Sequence, residues 1–170
     1  MIEFFLGGAR SGKSRLAEAA VEHSGLEKVY LATAQARDDE MQQRISRHQK
    51  DRGAQWLTLE EPLALTRMLQ EQASPDRCIL VDCLTLWLSN WLEADEARWP
   101  QVKQEFIAAL PTLPGRIILV SNEVGQGVVP MNALARRFVD ESGWLHQELG
   151  DVCQRMSFVV AGIPITLKEN

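Results

Sequence analysis

Gly7-Gly8-Ala9-Arg10-Ser11-Gly12-Lys13-Ser14 stands between an apolar run at residues 2–6 and a helical pattern at residues 14–22. Strand, Gly-x-x-x-x-Gly-Lys-Ser and helix, in that order, make a phosphate-binding loop. Glycines let the backbone curl so that successive N–H groups point at phosphate oxygens. The helix beginning near Ser14 turns its positive dipole end toward the same anion. Lys13 has the length to reach the terminal phosphates, and the Ser14 hydroxyl suits Mg²⁺. The implied ligand is a nucleoside triphosphate.

Outward from the loop, short apolar runs alternate with helical patterns. Strands are expected at residues 29–32, 55–58, 78–81, 116–120 and 158–160, the last closed by Gly162 and Pro164. Helices are expected at residues 39–52, from Pro62 to about residue 72, and at residues 131–154, where Gly143 and Gly150 weigh against one unbroken helix. This alternation predicts an α/β fold whose mostly parallel sheet is covered on both faces, in a single domain over residues 1–170. Such sheets bind ligands beyond the carboxyl ends of their strands. The residues that matter most are therefore the loop, Ala32-Thr33-Ala34, Asp82-Cys83 and Ser121-Asn122-Glu123. Asp82 ends the run Cys78-Ile79-Leu80-Val81, where a carboxylate completes a Mg²⁺ site; capping of the next helix is the other reading. Residues 84–92 are apolar nearly all round a helix, which means burial in the core or in a subunit interface.

Of the 170 residues, 45% are hydrophobic and 24% charged, and the net charge is −5. That balance fits a globular chain and argues against a broad nucleic-acid surface. The most apolar stretch, residues 78–92, is interrupted by Asp82 and Asn90 and is too short to span a membrane. The opening Met-Ile-Glu-Phe-Phe-Leu lacks the basic start of a signal peptide. Cys78, Cys83 and Cys153 are odd in number and show no metal spacing, so they read as reduced thiols in a cytoplasmic protein.

In residues 38–52, helical spacing lines up Arg44, His48 and Arg52 on one stripe. A neutral imidazole attacks phosphorus, and flanking guanidiniums balance phosphate charge and disfavour a protonated ring. A solvated face carrying an incidental histidine is the plainer reading. His23, near a helix end, and His146, beside Trp144 and Leu145, read as structural. Glu60 and Glu61 follow Trp56-x-Thr58, placed to accept hydrogen bonds from a guanine edge or a ribose, or to cap the helix after Pro62. Residues 121–127 suit a substrate loop or a plain connection.

The loop, Tyr30-Leu31-Ala32-Thr33-Ala34, Arg44-Ile45-x-x-His48-x-x-x-Arg52, Trp56-x-Thr58-x-Glu60 and Ser121-Asn122-Glu123-Val124-Gly125-x-Gly127-Val128-Val129-Pro130 occur here in one order. Asn132-x-x-Ala135-Arg136-x-Phe138 and Val159-Val160-Ala161-Gly162-Ile163-Pro164 follow. Over essentially its whole length the chain resembles the bifunctional adenosylcobinamide kinase / adenosylcobinamide-phosphate guanylyltransferase family of cobalamin biosynthesis. The resemblance implies a RecA-like, three-layer P-loop NTPase fold and a homotrimer, whose contacts would cover the Trp-rich helix. It implies two reactions. ATP or GTP phosphorylates the hydroxyl of adenosylcobinamide. GTP then guanylylates a histidine, here His48, and adenosylcobinamide phosphate takes the GMP to give adenosylcobinamide-GDP. Lys13 joins His48 as a catalytic residue by this resemblance, and Ser14 and Asp82 hold Mg²⁺. Gly7, Gly8, Ala9, Arg10, Ser11, Gly12, Lys13, Ser14, Ala32, Thr33, Ala34, Gln49, Lys50, Asp51, Arg52, Glu60 and Asp82 fall where the family contacts nucleotide. Arg10 either adds to the phosphate charge balance or ties the loop to its surroundings. A simple P-loop kinase with a structural His48, and a nucleotide-binding regulator or assembly ATPase, are the competing readings.

Overall fold

The computed structural model describes residues 1–34 and 55–170. Its strands are β1 (Ile2–Gly7), β2 (Glu27–Ala32), β3 (Trp56–Glu60), β4 (Arg77–Asp82), β5 (Arg116–Asn122), β6 (Arg155–Val160) and β7 (Ile163–Glu169). Its helices are α1 (Lys13–Glu22), α2 (Leu65–Gln72), α3 (Leu84–Asp95), α4 (Trp99–Ala109) and α5 (Ala133–Val152). The strands form one sheet in the order β3-β2-β4-β5-β1-β6-β7, parallel except for the β6–β7 pair.

Successive residues of a strand face opposite sides of the sheet, and here both sides are apolar. Phe4, Val29, Leu31, Ile79, Val81, Ile117 and Leu119 face one side, in a core with the buried side chains of α2, α3, α4 and α5. Phe5, Tyr30, Ala32, Cys78, Leu80, Ile118 and Val120 face the other, where α1 contributes Ala17 and Val21. The result is three layers.

The Trp-rich helix belongs to the core. Trp87 is fully buried against Trp99 and Phe106, at ring-centroid distances of 5.1 and 4.8 Å. The indole N–H groups of Trp87 and Trp91 both donate to the Leu63 carbonyl. No second subunit is needed to cover this helix.

Several boundaries differ from expectation. The sheet does not end at residue 160, because β7 folds back antiparallel on β6 with Val159 opposite Pro164. Pro164 is tolerated there since it lies on an edge strand. Helix α5 runs unbroken through Gly143 and Gly150, because burial of Leu145, His146 and Leu149 outweighs glycine's poor helix propensity. The helix expected from Pro62 begins only at Leu65, since the Glu61 carboxylate first accepts the amides of Leu63 and Ala64 in a turn. Helix α4 was not anticipated; it buries Trp99, Val102 and Phe106 on one face. The expected helix at residues 39–52 lies outside the described residues.

Candidate nucleotide site

The strand register brings the polar strand ends to one edge. Gly7 of β1 pairs with Asn122 of β5, Ala32 of β2 pairs with both Glu60 of β3 and Asp82 of β4, and Asp82 pairs with Val120. Residues scattered from 7 to 122 thus share the carboxyl edge, where ligands of parallel sheets bind.

The loop between β1 and α1 is held in shape by its own backbone and by the β6–β7 turn. Ser11 N–H donates to Gly8 O at 3.2 Å, and Gly162 N–H donates to Ser11 O at 2.7 Å. Two glycines are required by geometry. A Cβ on Gly7 would meet the Val159 carbonyl at 2.6 Å, and Gly12 has φ +95° with the Gly162 Cα 3.1 Å from its Cβ position. Gly12 is also the N-cap of α1, whose first turn carries no acidic side chain and no side-chain cap. Its first amides are therefore available to an anion.

Lys13 is buried, and its ammonium donates to Gly8 O at 3.0 Å, folding back over the loop. Burial pulls its pKa below the ordinary lysine value, while the Asp82 carboxylate opposes that pull. The Ser11 hydroxyl is buried with no hydrogen-bond partner. A buried polar atom left unsatisfied is costly, and inside a phosphate loop it points to an absent ligand. Arg10 is exposed with φ 55°, so it does not tie the loop to its surroundings through burial. Ser14 lies in the first turn of α1 and is half-buried.

At the end of β4, Asp82 is half-buried, and the position before α3 belongs to Cys83, which makes no side-chain cap. Capping therefore does not account for Asp82. The next peptide is clamped by Thr33. The Thr33 hydroxyl donates to Cys83 O at 2.7 Å and accepts from Cys83 N–H at 3.0 Å, while Thr33 O accepts from the Asn90 amide at 2.8 Å. Thr33 is wholly buried, so its side chain braces the Asp82–Cys83 segment from behind. Cys83 itself is an inert thiol, its pKa pushed up to about 11 by burial and by Asp82. All three cysteines are free and buried.

Glu61 caps the turn before α2, whereas Glu60 is exposed at the strand end beside Ala32. His23 is structural as expected, its Nδ1 lying 2.6 Å from Ala19 O at the end of α1. His48, with Arg44, Gln49, Lys50, Asp51 and Arg52, lies outside the described residues. His146, also read as structural, has a partner the sequence did not name. It is buried, and its Nε2 sits 2.8 Å from the Ser121 hydroxyl at the end of β5. A polar residue on the apolar stripe of α5 was the available signal, but its partner lies 25 positions away and only the topology reveals it. Beyond β5, residues 124–140 line a cavity of about 290 Å³ that includes Gly125, Gly127 and Arg136. The backbone of this segment is joined to the loop, since Glu123 N–H donates to Gly7 O at 3.0 Å.

A family model described as cobinamide kinase / cobinamide phosphate guanyltransferase matches residues 3–167. The chain belongs to that family. The bifunctional adenosylcobalamin biosynthesis protein CobP of Pseudomonas aeruginosa is 56% identical, over 99% of this chain and 98% of its own length. Proteins named bifunctional adenosylcobalamin biosynthesis protein CobU, from Salmonella typhimurium and Escherichia coli, are 38% and 36% identical over 99% of this chain and the whole of their own. Two solved structures share the fold at low identity. An ATPase of a bacterial type III secretion system superposes with a TM-score of 0.58 at 13% identity, over 97% of this chain. The chain spans 56% of that ATPase's length. The RadB recombinase superposes with a TM-score of 0.55 at 14% identity, over 92% of this chain and 73% of its own. This member of the cobinamide kinase / guanyltransferase family is thus a P-loop α/β protein. Among the described residues, no helix is long and apolar enough to cross a membrane.

Proposed function

We propose that residues 1–170 form one catalytic domain that phosphorylates adenosylcobinamide from a nucleoside triphosphate and then transfers GMP from GTP to adenosylcobinamide phosphate through a guanylylated His48. One observation carries the reading. A fully formed phosphate loop, with a buried Lys13 and an unsatisfied Ser11 hydroxyl, sits in a chain that matches the family from end to end. The loop amides and Lys13 bind and orient the β- and γ-phosphates, and in the second reaction they offset charge on the departing pyrophosphate. His48 attacks the α-phosphorus as the bond to pyrophosphate breaks. Glu60, exposed beside Ala32, is placed to accept hydrogen bonds from the base or ribose.

Ser14 and Asp82 offer a hydroxyl and a carboxylate, the hard oxygen donors that Mg²⁺ takes together with phosphate oxygens. When bound, Mg²⁺ would neutralise phosphate charge. We place the reaction in the cytoplasm and assign the working enzyme as a homo-oligomer, a trimer. The exposed Ile163, Ile165 and Leu167, alternating along edge strand β7, support self-association better than the buried Trp helix does.

The test is incubation with GTP labelled at the α-phosphate, then denaturation and intact-mass analysis of wild type and His48→Ala. A GMP-sized, acid-labile adduct absent from the mutant is expected. Nucleotide binding and cobinamide phosphorylation without any adduct would reduce the protein to a simple kinase.

A further inference from the structure

Four groups at the end of β5 form a continuous hydrogen-bonded chain between the nucleotide edge and the interior. Asn122 N–H donates to Thr85 Oγ1 at 2.7 Å. Thr85 Oγ1 lies 3.1 Å from Ser121 Oγ, and Ser121 Oγ lies 2.8 Å from His146 Nε2. Thr85, Ser121 and His146 are all buried. One satisfied direction for these bonds has Thr85 donating to Ser121 and Ser121 donating to His146 Nε2. That direction gives every hydroxyl an acceptor, and it requires an unprotonated Nε2. The low pKa of the buried ring, about 4, keeps it neutral, and the direction then requires the tautomer with its proton on Nδ1. Phe4 of β1 packs on the imidazole at 5.6 Å between ring centroids, fixing its position.

The outer end of the chain is the peptide that meets the phosphate loop. Asn122 is the register partner of Gly7, and the next amide, Glu123 N–H, bonds Gly7 O. The Asn122 side chain is half-buried at this edge and makes no hydrogen bond among the described residues.

We propose that His146 is a positioning residue for phosphoryl transfer, acting through Ser121 and Thr85 to hold the Asn122 peptide at a fixed place beside the phosphate loop. The loop amides and Lys13 bind the nucleotide without this chain, so its loss leaves ground-state binding nearly intact. Transfer suffers instead, because it depends on exact placement of groups around the reacting phosphate.

The inference rests on the kinase reading above for its rate measurement, and a second readout is independent of any reaction. His146→Gln keeps an acceptor near the position of Nε2, His146→Leu removes it, and Thr85→Val breaks the chain from another helix with little change of shape. In His146→Leu and Thr85→Val, kcat for cobinamide phosphorylation is expected to fall about tenfold while nucleotide Kd stays within about twofold. His146→Gln should recover most of the rate. By NMR hydrogen exchange on the apo protein, the Asn122 amide should exchange faster in the first two variants and as in wild type in His146→Gln. Equal exchange in all four proteins, or a glutamine variant as impaired as the leucine variant, overturns the proposal. If wild type transfers no phosphate to cobinamide, the kinase reading fails, while the exchange pattern still decides whether the relay holds Asn122.

Discussion

Stability should depend on acidity through one buried ring. His146 has its pKa lowered from 6.5 to about 4, chiefly by burial, with Glu123 acting in the opposite direction. Between those two values the unfolded chain binds a proton that the folded chain refuses. Stability therefore favours the fold fully above about pH 6.5 and is lost as pH falls toward 4. From pH 6.5 to pH 5 is one and a half units, and at 1.36 kcal/mol per unit the loss from this group alone is about 2 kcal/mol. The assay is urea unfolding of wild type and His146→Gln at pH 7 and pH 5, followed by fluorescence of the buried tryptophans. The difference between the two pH dependences reads out His146 together with its interaction with Glu123. Wild type should lose about 2 kcal/mol more than the glutamine variant over this interval. Identical losses in both proteins would refute the neutral, buried imidazole and with it the proton direction assigned to the Thr85–Ser121–His146 chain.

Three other outcomes follow from the geometry. Lys13→Met should lower phosphoryl transfer on the order of 100-fold, while the apo protein melts no lower than wild type, because a buried ammonium has been removed; differential scanning fluorimetry with a kinase assay reads both. Thr33→Val strands the buried Cys83 N–H, and urea unfolding should show a loss of about 1–3 kcal/mol, with weakened transfer as the Asp82 segment loosens. Gly115→Ala, remote from the site, would force a Cβ to 2.2 Å from the Ser74 carbonyl at φ +79°. Its left-handed backbone alone costs about 1–2 kcal/mol, so thermal melting should fall while nucleotide Kd at low temperature is unchanged.

The phosphate loop and the strand ends were legible because their chemistry is local. A glycine turn, a lysine and a helix start occupy eight consecutive residues, and a strand pattern places Asp82 without any knowledge of its neighbours. What escaped depends on partners distant in sequence. Pro164 read as a terminator, and only its seat on an edge strand lets β7 continue past it. Trp99, Val102 and Phe106 carry a helical spacing, yet they gain meaning only once Trp87 packs against them. Spacing alone did not separate Glu60 from Glu61; the turn before α2 takes Glu61 and leaves Glu60 exposed. The bond of His146 to Ser121 and the clamp of Thr33 on Cys83 had no local sign, because each acts on groups brought near by the sheet.

Strand β1 lies between β5 and β6, and the loop that follows it is pinned by Gly162. Strand β1 therefore waits more than a hundred residues of chain for either of its neighbours. The Gly162 anchor comes later still, so the loop reaches the geometry described above only after the β6–β7 turn has been made.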